Sequence, residues 1–153
     1  MPRRSIRCAL GLGTLLALVP GLAVAQPATP AGRVKVSSGT VAIVRNGQPL
    51  PAPLGAEVFE GDVLRSGSDG RLAVMLRDET RLSIGPDSEL ALAAFAFSPS
   101  ESRLGVTLSL ARGVISYVSG LVAKLAPSAV TIQTPTAIIG VRGTHALVRV
   151  GAP

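Results

Sequence analysis

Cysteine is almost absent: the single one, Cys8, stands within the first ten residues. With no second cysteine and with His145 as the single histidine, the chain can form no internal disulfide and cannot assemble a zinc set of the usual Cys/His kind. Aromatics are nearly as scarce, with no tryptophan, one tyrosine and three phenylalanines. Phe59, Phe95, Phe97 and Tyr117 do not interleave with the basic residues, which excludes the stacking platforms used to hold single-stranded nucleic acid and weighs against sugar binding. Beyond the first segment there is no GxGxxG, no P-loop and no EF-hand spacing. Glu57, Glu60 and Asp62 form a small acidic group, too few oxygens for a dedicated cation site. One histidine and scattered serines do not make a nucleophile with its base. The expectation is a non-catalytic protein with no metal and no cofactor.

The first segment has the pattern of an export signal. Arg3, Arg4 and Arg7 give a positive start, Cys8 to Val19 follow without a charge, Pro20 and Gly21 break any helix, and Ala23-Val24-Ala25 supply small residues before Gln26. Cleavage between Ala25 and Gln26 is expected, through Sec-type export, since Ser5-Ile6-Arg7 suit the twin-arginine pathway poorly. No cysteine stands at that point to carry a lipid, and no stable membrane span remains after cleavage. The first 25 residues carry three arginines and no acid, so the formal charge falls from +6 to +6 less three, or +3. So mild a charge, without clustering, argues against a nucleic-acid partner.

Residues 26–38 read as a linker leading into the domain: Gln26 to Gly32 are rich in proline and alanine, and structure is expected from about Arg33. From there short β-type runs alternate with turn chemistry, with no long stretch of helical period. Val41 to Arg45 is a strand, and Asn46-Gly47 is the strongest hairpin signal in the chain. Pro49, Pro51 and Pro53 mark a poorly pairing connection or edge. Gly61 permits a tight turn that Asp62 can close. Leu72, Val74 and Leu76 face one way and Arg71, Ala73, Met75 and Arg77 the other. A reversal through Asp78-Glu79-Thr80 leads to Leu82 and Ile84 on the same core face. Glu89 to Phe97 reads as a strand, with helix as its alternative because alanine and leucine favour it. Ser98 to Ser102 is a loop. Arg103 to Leu110 alternates again, Gly113 turns the chain into Val114 to Ser119, and Leu121 to Leu125 is a short strand or one helical turn. The fold class is therefore all-β: two packed, mainly antiparallel sheets, a sandwich or short β-roll, with the domain over 39–150 and a tail at 151–153.

The stretch from Val130 to Val150 is the most distinctive. Val130, Ile132 and Thr134 point to one side of a strand that Pro135 stops, and Thr136 to Val141 start on a new course. Gly140 and Gly143 bracket Val141 and Arg142, after which Thr144 to Val150 resume strand composition. An arginine between apolar runs must reach solvent, a carboxylate or carbonyls. Arg142 is either an internal clamp between strands or a residue that touches a partner, with Gly140, Gly143, Thr144 and His145 forming the same surface.

Thr134-Pro135-Thr136-Ala137 followed by Val141-Arg142-Gly143-Thr144 resembles the signature of the FecR family of exported regulatory domains. Leu54-Gly55, Gly61-Asp62 and Gly67, and then Leu110, Arg112, Gly113 and Val114, are similar to further blocks of that family. Two departures stand out: Ala146 where the family often has a large residue, and Glu79 where it usually has a turn glycine. The resemblance, over roughly Gly39 to Val150, implies a β-domain in the periplasm or outside the cell that binds a protein partner in the envelope, an accessory to signalling. The alternative is a structural protein that binds glycan or peptidoglycan, or that self-associates through its end strand.

Overall fold

The computed structural model describes residues 25–151; the signal reading of residues 1–25 therefore lies, apart from Ala25, outside the described residues. Ala25 and Gln26 are exposed and in no regular element. In chain order the strands are β1 (Gly32–Ser38), β2 (Val41–Arg45), β3 (Gln48–Pro51), β4 (Glu57–Val58), β5 (Val63–Ser66), β6 (Arg71–Leu76), β7 (Arg81–Ile84), β8 (Glu89–Ser98), β9 (Arg103–Val118), β10 (Val130–Gln133), β11 (Ile138–Gly140) and β12 (His145–Val150). A short α-helix, α1 (Leu121–Leu125), stands where the sequence left strand and helical turn open. The domain starts earlier than expected. β1 lies inside the segment read as linker, because Ala31 and Val34 are buried and the strand pairs with β6 along its length.

The alternating runs fold as their period dictates. Leu72, Val74, Leu76, Leu82 and Ile84 are buried, and the side chains between them stand on the opposite face. Asn46 and Gly47 both take positive φ, as a two-residue hairpin between β2 and β3 requires. β3, with Pro49 and Pro51, is an edge strand, which a residue lacking an N–H can occupy without loss. Glu79 meets the left-handed position of the β6–β7 turn without glycine, at φ 67°.

Everything is hung on β9, sixteen residues long. Its first half runs antiparallel to β8 and parallel to β10. Its second half lies between β7 and β12, antiparallel to both. It therefore belongs to two sheets: β3-β2-β5-β8-β9-β10-β11, and β4-β1-β6-β7-β9-β12. The sheets close on one core that includes Ile43, Leu64, Leu90, Leu108 and Ile132 from the first and Val34, Leu72, Val74, Leu82 and Ile115 from the second. The sequence places a turn at Gly113; the structure makes it a bend inside a continuous strand. At φ 91° Gly113 redirects β9 without reversing it. The bend is pinned by Ser88, whose hydroxyl accepts the Val114 N–H at 3.0 Å. Ser66, also buried, ties the same corner by donating to the Gly85 carbonyl at 2.6 Å and accepting the Ser88 N–H at 3.0 Å.

A second polar node holds the far end of β9. Asp78, wholly buried, accepts the Thr80 hydroxyl at 2.7 Å, the Thr80 N–H at 3.1 Å and the Val122 N–H at 3.2 Å. Its own carbonyl takes the Leu121 N–H at 2.7 Å, and Thr80 Oγ1 accepts the Gly120 N–H at 3.2 Å. The β6–β7 turn is thus bolted to the chain that leaves β9 for α1. Tyr117 is buried beside this node, and its hydroxyl finds no hydrogen-bond partner of ordinary geometry among the described residues. Burial raises the Tyr117 pKa above its usual value; the nearby Thr80 hydroxyl offsets part of the rise and the Asp78 charge adds to it. An acid with a raised folded pKa gives up its proton more readily once unfolded. Stability is therefore unaffected by this group below about pH 10 and declines as pH rises from there towards the folded pKa. Tyr117→Phe should remove that alkaline decline. Because it also deletes an unpartnered hydroxyl, it should raise stability at neutral pH by about 1 kcal/mol, read from urea unfolding at neutral and alkaline pH.

Candidate functional site

Between β10 and β12 the chain passes from one sheet to the other, and Gly140, Arg142, Gly143, Thr144 and His145, the candidate contact residues of the sequence, lie along this crossing and at the start of β12. The Thr134-Pro135-Thr136-Ala137 turn is closed by Thr134, which holds Ala137 through both backbone and side chain: the Thr134 N–H donates to the Ala137 carbonyl at 2.8 Å, and Oγ1 accepts the Ala137 N–H at 3.0 Å. Threonine supplies that local bond and proline the turn geometry. β11 returns alongside β10, and Val141 drops into the core with its N–H on the Val130 carbonyl at 3.1 Å.

The next four residues face solvent. Gly143 has φ 149°, a backbone state that side chains rarely adopt, in open space. The Thr144 carbonyl accepts the Ser119 N–H at 2.9 Å, which fixes the start of β12 against the end of β9. His145 Nε2 lies 2.9 Å from Ser116 Oγ on the adjoining strand. Gly140 and Arg142 are exposed, and Arg142 makes no hydrogen bond or ion pair among the described residues. The exposed Arg142 side chain therefore extends from a backbone that is anchored at Val141 on one side and at Thr144 on the other. Its side chain ties no strands together.

The internal clamp exists elsewhere. Arg45, at the end of β2, makes a two-pronged contact with Asp62: Nε to Oδ1 at 2.8 Å and an outer guanidinium nitrogen to Oδ2 at 2.7 Å. The same nitrogen reaches the Glu57 carbonyl at 3.1 Å, and the guanidinium stacks on the Phe59 ring at 4.5 Å. Asp62 is 1% exposed and also accepts the Phe59 N–H at 2.8 Å. Hydrogen bonding to Asp62 raises the Arg45 pKa above its ordinary value, burial works against it, and the Asp62 and Glu57 charges reinforce the rise. Sequence reasoning gave Asp62 its turn, which is present, with the Asp62 N–H on the Phe59 carbonyl, but missed its partner. The available signal was an arginine immediately before Asn46-Gly47, at the end of a strand that must return past residue 62. The acidic group does not converge: Glu57 pairs with Arg33 at 3.0 Å, Glu60 accepts the Phe95 N–H at 2.9 Å, and Asp62 holds Arg45.

β12 is paired with β9 on one side, and its other edge is open among the described residues. Ala146, Val148 and Val150 pack against the core while His145, Leu147 and Arg149 point outward. Leu147 is 71% exposed, and Ile138 on neighbouring β11 is 76% exposed. No helix of the described residues is long and apolar enough to cross a membrane.

Fold and surface together define an all-β domain of two sheets sharing one strand, with an exposed segment, hydrogen-bonded at Val141 and Thr144, beside a strand edge that is open among the described residues. The chain belongs to the FecR family: the family model described as FecR protein matches residues 62–152, more than half of the chain. No curated protein and no solved structure matches it. The match takes in Asp62, Gly67, Gly113 and the whole Thr134–Thr144 signature and leaves out β1 to β4, yet β1 pairs with β6 and β2 with β5. The strands before the matched range complete both sheets.

Proposed function

We propose that this is a non-catalytic, exported protein-interaction module of FecR type, an accessory to signalling in the cell envelope, whose contact surface is Gly140 to His145 together with the open edge of β12. The single observation that carries the reading is the exposure of Arg142 on a backbone pinned at both ends, inside the block that gives the family its signature. An unpaired arginine on a backbone anchored on both sides has its planar guanidinium available for a two-pronged contact with a partner's carboxylate. An open edge offers backbone donors and acceptors to an incoming strand.

The test is cross-linking in intact cells expressing a tagged chain, with the captured proteins identified by mass spectrometry. Capture of an envelope transporter or membrane regulator is the expected result. Arg142→Ala should reduce that capture several-fold while leaving the melting temperature nearly unchanged. A large loss of stability in Arg142→Ala, or undiminished capture, would contradict the assignment. The free edge of β12 also favours self-association through that strand, and capture of the chain by itself alone, or of wall material, would move the function to a structural one.

A further inference from the structure

The outer face of the second sheet is built unlike that of the first. Strand register places Val36, Ala73, Ser83, Ser116 and Leu147 side by side in one row across β1, β6, β7, β9 and β12. With strands about 4.8 Å apart, the row spans about 19 Å. Its middle is made of small residues and its ends of apolar ones, Val36 being 50% exposed and Leu147 71%. The result is a groove of about 360 Å³. The neighbouring outward positions bring Arg71 and Arg149 to one bank and Arg33 and Arg81 to the other.

Charge on the strands of this face is one-sided. Asp87, in the turn between β7 and β8, lines a common cavity with Arg149 but makes no ion pair with it among the described residues. β1, β6, β7, β9 and β12 contain no acidic residue at all. Arg33 is neutralised by Glu57 at the far edge, while Arg71, Arg81 and Arg149 have no ion-pair or hydrogen-bond partner among the described residues. In the first sheet the arginines are matched: Arg45 by Asp62, Arg65 and Arg112 by Glu89, and Arg103 by Glu101. So local a contrast between two faces of one small domain is not a consequence of overall composition.

We infer that this trough binds an acidic, amphipathic segment of a partner protein, its apolar ridge lying on Ala73, Ser83 and Ser116 and its carboxylates reaching Arg71, Arg81 and Arg149. The inference rests on the protein-binding reading above and gives the partner its chemistry. A concave floor selects a ridge over the plane of a bilayer. A second copy set face to face would bring arginine against arginine. A glycan would find no aromatic surface among the residues of the row.

The experiment uses protein purified from cells expressing the full chain and a fluorescent peptide of about eighteen residues with a leucine face flanked by glutamates. Its counterpart carries lysine for every glutamate, and vesicles of phosphatidylglycerol and phosphatidylethanolamine serve as the lipid probe. The glutamate peptide should bind, and the lysine peptide at least about tenfold more weakly. Combined Arg71→Gln, Arg81→Gln and Arg149→Gln should weaken the glutamate peptide about tenfold or more, and so should Ser83→Glu, which puts a like charge on an exposed floor position. Arg65→Gln on the other sheet should not. Equal binding of the two peptides, indifference to both the triple variant and Ser83→Glu, or binding of vesicles alone would overturn the inference. The two readings fail separately: no captured envelope protein at all sinks the binding function, whereas capture that persists in the triple variant sinks only this surface.

Discussion

Asp78→Ala should destabilise the domain by about 3–5 kcal/mol, a large share of the roughly 5–15 kcal/mol that holds a domain of this kind together. The carboxyl group is wholly buried and serves three donors at once: the Thr80 hydroxyl, the Thr80 N–H and the Val122 N–H. Removing it strands two backbone N–H groups away from water, each at about 1–3 kcal/mol, and opens a small void beside Tyr117. The loss also has a geometric side. The node links the β6–β7 turn to Gly120 and α1, residues about forty positions further along the chain, and without it β7 and the end of β9 lose their cross-brace. A melting temperature lowered by roughly 12–20 °C, with weakened amide protection at Gly120 to Val122, is the expected result. A loss below about 1 kcal/mol would mean that the buried carboxyl group contributes little.

Gly113→Ala should cost about 3 kcal/mol or more, for two reasons that add. A residue with a Cβ at φ 91° loses about 1–2 kcal/mol to backbone sterics. The added carbon would also lie 2.1 Å from Ser88 Oγ and 2.5 Å from Ser88 Cα, so relief requires the backbone itself to shift. Shifting it removes the bond from Val114 N–H that holds the bend. Gly47 separates the two contributions: it too has positive φ, 77°, but a Cβ there meets nothing within 4 Å. Gly47→Ala should therefore show the backbone cost alone, about 1–2 kcal/mol. Equal effects at the two glycines in urea titration would show that the contact with Ser88 does not matter.

Much of the architecture was legible because a half-buried strand writes its period into the sequence. β6, β7, β10 and the first half of β9 are alternations that a reader can mark residue by residue, and Asn46-Gly47 names its own turn. What could not be read was which strands share β9, since the parallel β9–β10 pair and the passage of one strand between two sheets depend on contacts distant in sequence. Gly113 shows the limit: a glycine between two β-runs is equally consistent with reversal and with a bend, and Ser88 decides it from another part of the chain. The same holds for polar residues. Asp78-Glu79-Thr80 announces a turn by local hydrogen bonding, but its second use, holding Gly120 and Val122, has no local signature. Arg142 and Arg45 are the instructive pair. Both are arginines next to a glycine-containing turn, Arg45 at the end of β2 and Arg142 between β11 and β12, and among the described residues only Arg45 has a buried carboxylate within reach.

In the proposed function, partner contact belongs to the crossing at Gly140 to His145 and the adjoining outward face of β12, while the first sheet's paired arginines are structural. Site-specific photo-cross-linking in intact cells tests this most directly, with a photoreactive side chain placed in turn at Arg142, Leu147, Arg65 and Arg103, all exposed positions. Capture of one and the same envelope protein from positions 142 and 147, with none from 65 and 103, is the predicted result. Capture from positions 65 or 103 with none from 142 and 147 would contradict it.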